Sequence, residues 1–194
     1  MLFFKNDVVL KNPNYVMNTD TLKYKTGTNV AYFVGPTDVK SKENVIYTEN
    51  GWYNTKADIA QLYRNSSLHK DSHYIYGDDM YYDRKKDEGT IRKNAVIKDT
   101  SSKITLYAQY GFYQGKKKSV FVTNKVLAVK AFKTDSLFLH ADSLFFNQYT
   151  IAPLDSTRKD SVTYEVVTAY HKVRFYKSDM QGVCDSIVYN ALDS

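Results

Sequence analysis

Apolar and polar residues alternate along almost the whole chain, and the alternation has period two. Phe3 to Leu10, Val16 to Tyr24, Val30 to Val34, Thr90 to Lys98, Lys103 to Tyr113 and Tyr164 to Tyr176 each read as a strand exposed on one face. Turn residues separate them: Asn12-Pro13-Asn14, Lys25-Thr26-Gly27-Thr28, Asp99-Thr100-Ser101-Ser102 and the charged stretch from Asp83 to Gly89. Gly35-Pro36 breaks or bulges the strand that starts at Val30. Val45 to Thr48 and Trp52-Tyr53 flank Asn50-Gly51, a sequence that predicts a hairpin turn between two strands. Ala57 to Tyr63 reads as a strand ended by Asn65-Ser66-Ser67, and Tyr74 to Tyr76 and Met80 to Tyr82 follow. Ser119 to Phe132 is a Val-rich strand pair interrupted at Asn124-Lys125. No segment carries an apolar stripe at helical spacing.

A second, longer period lies over the first. The unit Asp-x-apolar-x-aromatic stands at Asp20–Tyr24, Asp78–Tyr82, Asp142–Phe146 and Asp185–Tyr189, and a variant stands at Gly51-Trp52-Tyr53 and Gly111-Phe112-Tyr113. The closing aromatics Tyr24, Tyr53, Tyr82, Tyr113, Phe146 and Tyr189 are separated by 29, 29, 31, 33 and 43 residues. A step near thirty marks stacked supersecondary units. Alternation puts the Asp, the apolar residue and the aromatic of each unit on one face, and stacking aligns Leu22, Met80, Leu144 and Ile187 in a row. The leading Asp is expected to accept backbone hydrogen bonds where a strand leaves a turn. The polar stretch from Ile151 to Ser161 reads as a loop insertion that widens the last step. Both ends fall within a repeat, so the expectation is a piece of a longer repeat protein.

Composition narrows the picture. Of 194 residues, 18 are Tyr and 10 Phe, a loading that favours pleated, half-buried surfaces. The single cysteine, Cys184, rules out a disulfide framework and reads as a small buried hydrophobe. Net charge is +6, spread over many turns with one tight run at Lys116-Lys117-Lys118, which argues against a nucleic-acid-binding helix.

Sites for chemistry are sparse. The sequence has no glycine-rich phosphate loop and no nucleophile elbow. His69-Lys70-Asp71-Ser72-His73 is the densest group of metal-ligating types, but its place between strands reads as a solvated turn; His140 and His171 lie in strands without an evident partner. Asp78 and Asp79 are adjacent, so alternation directs them to opposite faces rather than into an acid–base pair. The expectation is a protein that is not an enzyme and needs no metal or cofactor.

The repeated elements resemble the OstA-like family, the periplasmic lipopolysaccharide-transport proteins related to LptA. The resemblance rests on Thr19–Tyr24, Gly77–Asp83 and Ala141–Asn147, each followed by a return strand: Ala31–Gly35, Gly89–Val96 and Ala169–Phe175. Lys93 and Thr123 stand where the family pattern has Gly. What the resemblance implies is an all-β open β-jellyroll of V-shaped, solenoid-like stacked antiparallel strands, one domain over residues 1–194. It implies an apolar groove between two sheets that holds acyl chains, lined by Leu22, Tyr24, Phe33, Met80, Tyr82, Ile91, Phe121, Leu144 and Phe146. Lys23, Lys93 and Arg174 would meet lipid phosphates at its mouth. Implied partners are lipopolysaccharide or a related lipid, other transport β-jellyrolls joined through edge strands, and further copies of the chain, but no nucleic acid. The implied place is the periplasm, at or near the outer membrane. The residues themselves also admit a structural β-solenoid, or a carbohydrate-binding β-sandwich using Trp52, either with a filled core.

Overall fold

The computed structural model describes residues 1–11, 13, 15–42, 44–151 and 162–192. They form one antiparallel sheet of twelve strands whose spatial order is their order in the sequence. The strands are β1 (Leu2–Lys11), β2 (Tyr15–Lys25), β3 (Val30–Ser41), β4 (Asn44–Asn54), β5 (Ile59–Lys70), β6 (His73–Asp83), β7 (Glu88–Asp99), β8 (Ile104–Gln114), β9 (Ser119–Ala131), β10 (Ser136–Ile151), β11 (Val162–Lys177) and β12 (Met180–Asn190). A single turn of 3-10 helix, Gly115–Lys117, stands between β8 and β9, and no α-helix occurs among the described residues. The all-β content is what the alternation predicts, and the open antiparallel sheet is what the resemblance implies.

Every strand bends near its middle, and the bend has a fixed residue rule. On even strands two inward-facing residues are three apart: Thr19 and Leu22, Thr48 and Gly51, Gly77 and Met80, Ala108 and Gly111, Ala141 and Leu144, all buried. On odd strands the corresponding pair is four apart: Phe33 and Thr37, Leu62 and Ser66, Ile91 and Ala95, Val122 and Val126, Ala169 and Val173. Odd strands therefore place three residues on the outside of the bend and even strands only two. The extra residue is a β-bulge, seen as a register shift at this level in each strand pair. Two successive residues on most odd strands take left-handed backbone to make it: Asn6-Asp7, Arg64-Asn65, Lys93-Asn94, Asn124-Lys125 and His171-Lys172. On β3 the place is filled by Gly35, with φ +90°, packed against the Asp20 carboxylate where a Cβ would not fit.

The bend folds the sheet over on itself. We call the half of each strand leading to turns 26–29, 55–58, 84–87 and 115–118 the first arm, and the other half the second arm. One core cluster takes residues from both: Leu22, Phe33, Leu62, Met80 and Ile91 from the first, Met17, Ala95 and Val126 from the second. A smaller cluster of Ala141, Ala169 and Val173 continues it, with Cys184 half-buried against them.

Three expectations are corrected here. Asn50-Gly51 is not a hairpin turn, because β4 runs unbroken through it and Asn50 pairs with Tyr63. Gly51 is there for space: a Cβ at that position would collide with the Phe33 ring and the Gln61 carbonyl. Asn65-Ser66-Ser67 and Asn124-Lys125 likewise do not end strands; they form the bulges of β5 and β9. Finally, the leading Asp of each unit lies at the bend rather than at a strand entrance, and it does not share a face with the apolar residue that follows. Asp20 is exposed whereas Leu22 is buried, because the bend puts two consecutive residues outside. The turn expected at residues 12–14 and the insertion expected over 151–161 fall largely outside the described residues; Ile151 itself ends β10 and pairs with Val162.

Candidate functional site: the trough between the two arms

The interior is built from rows that run across the sheet, one residue per strand. In the first arm, Leu22 pairs with Phe33, Phe33 with Gly51, Gly51 with Leu62, Leu62 with Met80, Met80 with Ile91, and the row continues through Gly111, Val122 and Leu144 to Ala169 and Ile187. The facing row of the second arm runs from Met17 through Val39, Ile46, Leu68, Ile75 and Ile97 to Leu139 and Phe175. Neither row contains a charged residue. Between them, at the vertex, only small side chains occur. Thr19 and Thr37 share a hydroxyl hydrogen bond of 2.7 Å, and Thr48 and Ser66 share one of 2.9 Å. Farther along, Ala95 faces Ala108 and Ala141 faces Val126.

The mouth of the first arm carries the recurring aromatic. Tyr24, Tyr53, Tyr82, Tyr113 and Phe146 occupy one row, each flanked across the ladder by a small or β-branched residue such as Ala31, Ala60, Gly89 or Val120. Two of the phenols are tethered to the next turn: Tyr53 donates to Asp58 Oδ1 at 2.6 Å and Tyr82 to Asp87 Oδ1 at 2.8 Å. Burial, then the bond to Asp58 and its charge, push the Tyr53 phenol up to about 12. Tyr82 is raised by burial and by Asp87, and Tyr113 by burial and the same carboxylate. Tyr53 and Tyr82 are therefore neutral hydrogen-bond donors, and the Tyr53 ring packs against the core cluster.

Of the nine residues expected to line the groove, Leu22, Phe33, Met80, Ile91 and Leu144 meet in the core row, at 2–8% exposure. Tyr24, Tyr82 and Phe146 stand half-buried at the mouth. Phe121 is not with them. Its neighbours Val120 and Val122 point into the core, so its ring lies on the outer face, 4.5 Å from Phe145 and 6.5 Å from Tyr110. The three basic residues expected at the mouth are elsewhere too. Lys93 lies on the outside of a bend, Lys23 packs on the Phe3 ring, and Arg174 is exposed on the second arm. A depression of about 780 Å³ also lies outside the bend and is lined mostly by polar residues, among them Glu49, Arg64, Asn65, Asp78 and Lys93. His69 stacks on Tyr74 at 4.0 Å, and among the described residues no group of three or more His, Cys, Asp or Glu is placed to hold a metal.

The bend residues that sequence reasoning missed form a polar spine along the outside. Asn65 donates to Glu49 at 2.7 Å and Asn94 to Asp78 at 2.6 Å; Lys172 pairs with Asp142 at 3.1 Å and His171 with Asp185 at 3.4 Å. The signal that could have found it is the recurrence of Arg64-Asn65 and Lys93-Asn94 29 residues apart, each pair ending in Asn, a residue that tolerates left-handed backbone.

Comparison with known proteins agrees with this architecture. Residues 1–78 match the family model described as OstA-like protein. Among solved structures, the chain is similar to LptH from Pseudomonas aeruginosa, the LptA-homologous periplasmic component of a lipopolysaccharide transport device. The TM-score is 0.50 at 10% identity, over 57% of this chain and 82% of that one. No curated protein matches the chain.

Proposed function

We propose that this OstA-like chain is a non-enzymatic, periplasmic carrier module of lipopolysaccharide transport that takes acyl chains between its two arms. The observation that carries the reading is the pair of facing apolar rows, uninterrupted by charge across the sheet, with a seam of amphipathic tyrosines along one edge. Acyl chains would enter past Tyr53, Tyr82 and Tyr113 and displace contacts between the arms, the open side of the fold, since the bend closes the other. Modules would join through the outer strands β1 and β12, adding strand to strand. β1 is exposed along most of its length, with Leu2, Phe3 and Phe4 each near half exposed.

A second reading, a structural solenoid with a packed interior, is favoured by the low exposure of Phe33, Val122 and Leu144, at 1–3%. Photo-crosslinking separates the two. A benzoylphenylalanine placed at Tyr82 is expected to capture lipopolysaccharide, and one at Phe121, on the outer face, is not. Capture at both positions or at neither sinks the carrier reading and leaves the solenoid.

A further inference from the structure

Charge is sorted between the two rows of turns in a way that the sequence conceals. The stretch Asp83-Arg84-Lys85-Lys86-Asp87-Glu88 is neutral by count. In the fold its carboxylates turn inward: Asp83 is buried and accepts the Lys86 amide, and Asp87 is held under the turn by the Tyr82 hydroxyl. Asp58 is held in the same way by Tyr53. Arg84 and Lys86 pair with Asp58 and Asp83 at 4.0 and 3.5 Å, yet their side chains stay on the outside, 73% and 69% exposed. Over the turns 26–29, 55–58, 84–87 and 115–118 there are seven cations against two carboxylates. The described turn residues of the second arm, at 42, 71–72, 100–103, 132–135 and 178–179, carry three cations against three carboxylates.

The basic turns are also held in line. Each after the first hydrogen-bonds through its backbone to the turn before it, Thr55 to Asn29, Arg84 to Asp58 and Gly115 to Asp87, and Gln148 of β10 bonds to Lys118 in the same way. Lys85 and Lys116 reach back along the same line to the carbonyls of Lys56 and Lys85, at 2.9 and 3.0 Å. Successive turns are two strands apart, roughly 10 Å, so the row is a continuous basic ridge. At its end β10 and β11 run on past Lys118 as a two-stranded ribbon. Tyr149 stacks on Tyr164 there at 5.6 Å, and Tyr149, Ile151 and Val162 are 43–53% exposed.

A continuous cationic ridge beside a projecting aromatic and aliphatic ribbon is the pairing that an anionic bilayer surface recognises: the ridge meets the headgroups and the ribbon enters the interface. We propose that the first-arm turns dock this protein on a membrane surface rich in anionic lipid. The proposal does not depend on acyl chains entering the trough, and crosslinking at Tyr82 tests that reading separately.

The test is flotation of the chain with vesicles of phosphatidylcholine alone and of phosphatidylcholine mixed with phosphatidylglycerol. Binding is expected only to the mixed vesicles and should weaken as salt rises. The triple variant Lys56→Glu, Lys85→Glu, Lys117→Glu is expected to lose roughly tenfold or more of that binding. The control Lys70→Glu, Lys133→Glu, on the opposite row, should keep it. Tyr149→Ser with Ile151→Ser should leave the salt dependence intact and lower the plateau. A thermal melt matching the parent shows that each variant is folded; if the triple variant does not fold, Lys56→Gln with Lys117→Gln replaces it, with a smaller loss expected. Equal binding to both vesicle types, equal loss in the opposite-row control, or binding to an RNA oligonucleotide without binding to vesicles would overturn the proposal.

Discussion

The vertex of the fold is built in two chemistries along one chain. At β2–β5 it is hydroxylic, with Thr19 against Thr37 and Thr48 against Ser66. At β7–β11 it is made of methyl groups, with Ala95, Ala108, Val126, Ala141 and Val173. Both stretches reach the same burial: Thr37 and Thr48 are 0–1% exposed, Val126 and Val173 are 0%. The bend therefore demands small volume where the arms converge, and polarity is tolerated only when the hydroxyls satisfy each other. Thr37 also donates to the Gly35 carbonyl and Thr48 to the Asn50 carbonyl, so the hydroxyl version secures the outside of the bend as well.

Substitutions can break this comparison. The largest effect is expected just off the vertex, where volume is deleted from the shared row: Leu144→Ala should cost about 2–5 kcal/mol, read as a lower urea midpoint at unchanged slope. Next comes overfilling the methyl vertex. Ala108→Leu should cost about 1–3 kcal/mol because the facing residue is Ala95, and a matched loss in melting temperature checks it. The hydroxyl vertex should respond through pairing instead. Thr37→Val leaves the Thr19 hydroxyl without its 2.7 Å partner and should cost about 1–2 kcal/mol, whereas Thr19→Val with Thr37→Val should cost less than the sum of the singles. Additive losses there would show that the hydroxyl pair is not what holds the bend.

The smallest effect belongs to the turns. Burial of the Asp99 carboxyl would raise its pKa, but hydrogen bonds from Ser102 and Ser101 outweigh it and hold the group well below the usual carboxylate range. A depressed value means stability that is present above the unfolded value of 3.8 and lost as pH falls below it. Asp99→Asn should cost about 1 kcal/mol at neutral pH and flatten that acid limb in melts taken from pH 7 downward. Tyr53 has the opposite sign. Its raised value makes its contribution present below 10.0 and lost as pH climbs through about 12, so Tyr53→Phe should blunt the alkaline limb.

Much of the fold was legible from period two and the thirty-residue step, because half-buried strands must alternate and stacked units must repeat their wedge residues. Leu22, Met80 and Leu144 fall in one row as that reading requires. The bend was not legible, because its signature, buried pairs at spacings of three and four, breaks the alternation and makes one strand look like two. Asn50-Gly51 and Asn124-Lys125 were misread for that reason: residues suited to turns also suit bulges and close approach. Phe121 belongs to the groove lining that the resemblance implies, but its position between Val120 and Val122 turns it outward. The sorting of charge at Asp83–Glu88 was invisible because it depends on which phenol lies beneath each turn.

The order of the strands in space carries one more consequence. Because each strand hydrogen-bonds only with the strands before and after it in the chain, cohesion is transmitted like tension along a zip fastener, one tooth at a time. Amide exchange should accordingly be slowest around β6 and β7 and quicken toward both ends, and inserting or removing a unit of two strands should lengthen or shorten the molecule without asking any distant residue to change.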